Sequence, residues 1–174
     1  MKYILFIALL NLTLCHSQET FTNSHDDIYI ENGLFYKVKD HLLFSGTIDF
    51  IKKNGVIISK EVYKDGYIIN ESRYYNKSAR GKVYQETVYY QEKVNPENFR
   101  FKKQKIITYH STGEIYCIKH FDLAGDKILE EEFENEKLVY SCEFKDVKKN
   151  GKEFCTTRKC GNEIVTYSNG KKTD

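Results

Sequence analysis

The sequence predicts an all-β fold, an antiparallel β-meander built from repeated hairpins, with little or no helix after a leader. Three observations carry this. Turn pairs recur at Asn32-Gly33, Asn54-Gly55, Asn150-Gly151 and Asn169-Gly170, with Asp65-Gly66 as a fifth of the same kind. Such pairs tolerate the positive φ that two-residue hairpin turns demand. Runs of β-branched and aromatic residues flank each pair, and the chain holds 14 Tyr and 11 Phe against one Pro and no Trp. Those residue types suit a pleated, half-buried surface. Finally, the stretch from Ile48 to Gly66 shares its pattern with the stretch from Ile107 to Gly125.

The leader comes first. Lys2 is a short basic start, Tyr3 to Leu14 form an apolar run broken by Asn11, and Cys15-His16-Ser17 offers a cleavage site. Residues 1–17 thus read as a secretory signal peptide cut after Ser17. The apolar run is shorter than the ~20 residues a membrane span needs, and no later stretch is long enough. A competing reading puts a lipid anchor on Cys15, although the bulky Leu14 before it speaks against that. Cleavage removes 17 of 174 residues and leaves 157, a length that suits one domain. Residues 18–31 are expected as a flexible N-terminal segment and 32–174 as a single β-repeat domain. The protein is expected to be exported: periplasmic, cell-surface or extracellular. The formal charge is +2. That balance excludes an electrostatic case for nucleic acid as a partner.

The repeats follow. One copy reads Ile48-x-Phe50, Asn54-Gly55-x-Ile57, Tyr63, Gly66. The other reads Ile107-x-Tyr109, Thr112-Gly113-x-Ile115, Phe121, Gly125. Val165-x-Tyr167-Ser168-Asn169-Gly170 is a partial third copy, and Ile28 to Phe35 a worn one. Each unit is two strands with a turn after each, so units pack on their neighbours as a repeat array. The aromatic before each turn can cover the turn's bare backbone. Ile57 to Lys64 has apolar residues on both faces, which implies two covered faces or a bulge. In the less regular middle, Tyr84 to Gln91 reads as a strand, and Asn95-Pro96-Glu97 as a turn or one helical turn with Pro96 at its first position. Leu138 to Lys145 alternates as a half-buried strand does.

Tyr63-Lys64-Asp65-Gly66, preceded by Asn54-Gly55 and the strand between, resembles the MORN-variant repeat. Asn32-Gly33-Leu34-Phe35-Tyr36, followed by Phe44-Ser45-Gly46-Thr47, resembles the opening of many such proteins. The resemblance runs from Asn32 to Gly66 and is partial from Ile107 to Gly125. It departs at Asn70, where the family has a second glycine, and over Asn76 to Lys105. Bacterial members are often exported and labelled antitoxin-like. The resemblance therefore implies a MORN-like β-repeat array and protein binding without known chemistry.

Cys117, Cys142, Cys155 and Cys160 remain after the leader, and none belongs to the repeat pattern. An even count in an exported chain favours disulfides. If the hairpin connection is Asp146 to Gly151, Cys142 faces Cys155, which leaves Cys117 with Cys160. The alternative is Cys155 with Cys160 and Cys117 with Cys142. The spacings fit no zinc motif. No metal or other cofactor is implied. His25, His41, His110 and His120 are scattered. The acidic run Glu130 to Glu134 reads as a solvated edge strand that discourages edge-to-edge association. Arg100, Lys102, Lys103 and Lys105 read as a solvated basic strand. No phosphate loop or nucleophile motif occurs, so no residue is assigned as catalytic and the chain is read as a non-enzyme. Tyrosine offers large contact area at low entropic cost. Tyr63, Tyr67, Tyr74, Tyr75, Tyr89 and Tyr90 are the candidate contacts for a protein partner. A structural envelope role or small-ligand carriage are the alternatives.

Overall fold

A computed structural model describes residues 19–22, 24–76, 80–93, 100–156 and 161–173. The leader with Cys15, the Asn95-Pro96-Glu97 turn and Cys160 lie outside the described residues. The described chain is all-β, as expected, in 14 strands. Twelve form one sheet in the order β1-β4-β5-β6-β7-β8-β9-β10-β11-β12-β13-β14. These are β1 (Glu19–Thr22), β4 (Gly46–Ile51), β5 (Ile57–Lys64), β6 (Tyr67–Tyr74), β7 (Val83–Tyr89) and β8 (Lys103–Tyr109). The row continues with β9 (Ile115–Phe121), β10 (Lys127–Glu134), β11 (Lys137–Lys145), β12 (Lys148–Cys155), β13 (Glu163–Ser168) and β14 (Lys171–Thr173). From β4 onward every neighbour pair is antiparallel, while β1 adds in parallel to β4. A separate hairpin pairs β2 (Ile28–Glu31) with β3 (Leu34–Lys37) through Asn32-Gly33.

Residues 18–31, expected as a flexible lead-in, thus contain β1 and β2. The reason is apolar contact. Phe21 stacks on Phe44 at 5.2 Å, and Ile28 is buried.

A regular defect repeats along the sheet. In five of the hairpins the pairing passes over one residue shortly after the turn: Ile58, Ile69, Tyr84, Tyr116 and Ile128. Each lies three positions after a turn glycine, at Gly55, Gly66, Gly81, Gly113 and Gly125. Facing the slip, the incoming strand presents an aromatic ring in four of the five, Tyr63, Tyr74, Tyr109 and Phe121. Such bulges bend the strand and raise local twist. The glycine–aromatic grammar of the sequence therefore encodes a turn followed at once by a bulge.

The β11–β12 hairpin differs from expectation. Its turn is Asp146-Val147, both at positive φ (49° and 65°), and Asn150-Gly151 lies inside β12. Gly151 sits at the slip with φ 107°, where the Glu143 carboxylate lies over it and accepts the Lys152 N–H at 2.8 Å. A bulge needs glycine's conformational freedom as much as a turn does. Cys142 consequently pairs with Glu153, and Cys155 with Tyr140. Cys117 and Cys142 are free thiols. The Cys142–Cys155, Cys117–Cys160 and Cys117–Cys142 bridges are therefore not formed. Of the bridges weighed, Cys155 with Cys160 alone is compatible with this.

The acidic run is also corrected: β10 is an interior strand, flanked by β9 and β11. Two of its carboxylates are paired, Glu130 with Lys119 and Lys127, and Glu131 with His120.

The core is small and lies toward the N-terminal end. Ile28, Phe35, Phe44, Ile48, Tyr63, Ile68 and Tyr89 form it, with Phe21, Ile30, Phe50 and Phe101 packed against it. The β2–β3 hairpin supplies its lid. Phe35 meets Tyr63 edge-on at 4.9 Å and stacks on Phe101 at 6.0 Å. The hairpin is also tied by backbone to the β5–β6 turn. Phe35 N–H donates to Gly66 O, and Gly66 N–H donates to Phe44 O, each at 2.9 Å.

Candidate functional site

One row of side chains crosses the covered face of the sheet. Its Cα partners run Ile48, Glu61, Glu71, Thr87, Ile106, then Lys119, Glu130, Cys142 and Glu153. Two glutamates therefore stand directly opposite each other, Glu61 on β5 and Glu71 on β6. Like charges so placed repel, and the surroundings offset this. Tyr63 donates its hydroxyl to Glu61 Oε2 at 2.7 Å, and the His25 ring nitrogen Nε2 lies 2.9 Å from the same oxygen. Tyr89 donates to Glu71 Oε2 at 2.9 Å, and Arg73 Nε donates to Glu71 Oε1 at 2.6 Å.

Burial and the nearby carboxylates push the Tyr63 and Tyr89 phenols well above the usual tyrosine value, burial being the larger cause in both. Phenols held protonated act as donors rather than nucleophiles. The pair can accept hydrogen bonds and attract a cation. A pocket of about 460 Å³ opens onto Glu61, lined by His25, Ile28, Tyr29, Ile30, Phe35, Tyr63 and Phe101.

The tyrosine candidates fall into three groups. Tyr63 and Tyr89 are 2% and 8% exposed, so their rings are core and offer no outer surface to a protein partner. Tyr74 and Tyr75 lie at the end of the sheet where β6 turns into β7, and Tyr75 donates to Tyr109 O at 2.9 Å. Tyr67 and Tyr90 lie at the opposite end, and Tyr90 donates to Phe121 O at 2.8 Å. All four are half-buried.

That second end carries exposed apolar side chains beside several of its turns. Leu42 (61% exposed) and Leu43 flank the docked hairpin, Leu123 (52%) sits in the β9–β10 turn and Val147 (80%) in the β11–β12 turn. The described turns at the other end, Lys52 to Gly55, Ser111 to Gly113 and Asn135-Glu136, are polar, while strands that start at that end expose Tyr116 (44%), Leu138 (38%) and Ile164 (72%).

Sequence reasoning missed both features. A plain hairpin centred on Asp65-Gly66 sets Glu61 against Asn70; the bulge at Ile69 moves it to Glu71. The spacing Glu61-x-Tyr63 does signal one shared strand face. Leu123 and Val147 read as ordinary loop residues until the topology puts their turns on one side.

Among the described residues, no group of three His, Cys, Asp or Glu is placed to hold a metal, and no helix is long and apolar enough to cross a membrane. Comparison with protein-family models and with curated proteins finds no match for this chain.

Proposed function

We propose that this is a non-enzymatic, exported β-repeat protein that binds another protein, in the manner the MORN-variant resemblance implies. The carrying observation is the apolar character of the turns at one end of the sheet. One end sets Leu42, Leu43, Leu123 and Val147 in water, with Tyr67 and Tyr90 beside them. Exposed apolar side chains gathered on one side, rimmed by charge, mark interaction surfaces. Lysines supply that rim at Lys64, Lys148 and Lys149. Neighbouring turns on this end are two strands apart, about 10 Å. Their tips therefore span a width that a partner of ordinary interface size covers.

The test is capture by the immobilised mature chain from an envelope extract, compared with two double variants. Leu42→Ser with Leu123→Ser should lose a defined partner. Tyr74→Ser with Tyr75→Ser, at the other end, should keep it. Equal capture by the wild type and the leucine variant would overturn the reading. Retention on lipid vesicles alone would do so too.

A further inference from the structure

We propose that the pocket beneath the β2–β3 hairpin binds an organic ammonium group carried on an apolar body. None of the rim leucines lines it, so this site is separate from the protein-binding surface.

The argument begins with unequal compensation. Glu61 and Glu71 face each other, but their cations differ. Glu71 holds the permanent charge of Arg73 at 2.6 Å. Among the described residues the cation partner of Glu61 is His25 alone, whose side chain is 51% exposed. Both of its donors, Tyr63 and His25, also use the same oxygen, Oε2. Among the described residues, Glu61 Oε1 accepts no hydrogen bond. A carboxylate that is 19% exposed, beside a second anion and without a permanent cation, favours any positive group that can reach it.

The walls select the rest of the ligand. Ile28 and Ile30 give aliphatic surface, and Phe35, Phe101, Tyr63 and Tyr29 give aromatic surface. Rings around a carboxylate hold ammonium heads through their faces while the apolar walls take the chain. The volume of about 460 Å³ lies within the range of small-molecule sites. A neutral ligand of the same shape gains the walls but not the carboxylate. An anion is repelled by Glu61.

The chemistry can come from a free amine or from a lysine side chain. The experiment is an NMR chemical-shift titration of the folded chain with n-pentylammonium chloride and, separately, pentan-1-ol. The ammonium should bind saturably and about tenfold more tightly than the alcohol. Glu61→Gln should lose about the same factor. Ile30→Trp, which fills the pocket, should block both ligands. Spermidine and capped lysine amide then distinguish the sources by which binds more tightly. Equal binding of alcohol and ammonium to the wild type would overturn the proposal whatever the variants do. So would shifts that never saturate.

Discussion

Val147 stands at φ 65° in a two-residue turn, 80% exposed. Its counterparts in the other two-residue turns are Gly33, Gly66, Gly170 and the unbranched Glu136 (φ 63°). A β-branched side chain in the left-handed region crowds its own backbone, at a cost of about 1–3 kcal/mol. Burial repays none of it here. Val147→Gly should therefore raise stability by about 1 kcal/mol after glycine's own entropy cost, a gain of about 2–4 °C in Tm. Thermal denaturation measures this, and an unchanged or lower Tm would refute it. If Val147 also serves the rim, the same variant should weaken capture while it melts higher. Asparagine–glycine pairs show how far single residues can be read. Asn32-Gly33 and Asn169-Gly170 are turns, but Asn150-Gly151 is a bulge. The local signal states that positive φ is needed and is silent on which device needs it.

A hairpin laid on a turn is the feature that organises the elements. At Gly66, φ is +78°, and an added Cβ would lie 2.7 Å from Leu43 Cδ2 and 3.0 Å from Phe35 O. Both Gly66 backbone groups bond to the chain around that hairpin. Gly66→Ala should cost about 1–3 kcal/mol and push the hairpin off the sheet. Loss of slow amide exchange at Phe35 and Gly66 would report the second effect. A variant with wild-type protection at both would argue against this docking. Asp65-Gly66 was legible as a turn. Its second task was not, because the hairpin that lands on it is thirty residues upstream. Strand register was illegible for a related reason. One passed-over residue moves Glu61 from Asn70 to Glu71, and the β12 bulge moves Cys142 to Glu153.

Across the whole molecule, tyrosine hydroxyls bridge strands and buried rings meet carboxylates. Tyr109 donates to Glu86 at 2.7 Å, and burial, then that bond, pushes its phenol up to about 12. Tyr63, Tyr89 and Tyr140 are raised further, burial leading in each. Below the unfolded value of about 10, both states keep these protons and the phenols add no pH dependence. Above it the unfolded chain loses protons that the folded chain retains. Stability should therefore start to fall from about pH 8.5, where the buried Cys117 and Cys142 thiols, also pushed up by burial, ionise first in the unfolded chain, and fall more steeply as pH rises from 10 through the folded phenol values. Urea midpoints between pH 8 and 12, with phenolate absorbance rising together with unfolding, measure this. A level midpoint to pH 12 would refute it.

The sequence by itself determined an all-β meander of hairpins, because turn residues and strand-forming aromatics act within a few positions of where they stand. It also located most of the turns, through residues that need positive φ. Tertiary structure alone decided which side chains meet. The covered face, the Glu61–Glu71 pair, the free Cys117 and Cys142 and the apolar turns at one end of the sheet all depend on register. Register accumulates one residue per bulge, and a bulge of two, as in β12, looks from the sequence like a turn. The lid on the core depends on a hairpin folding back over strands that come later in the chain. That contact is set by the fit of Phe35, Leu43 and Gly66 in space, and no local spacing encodes it.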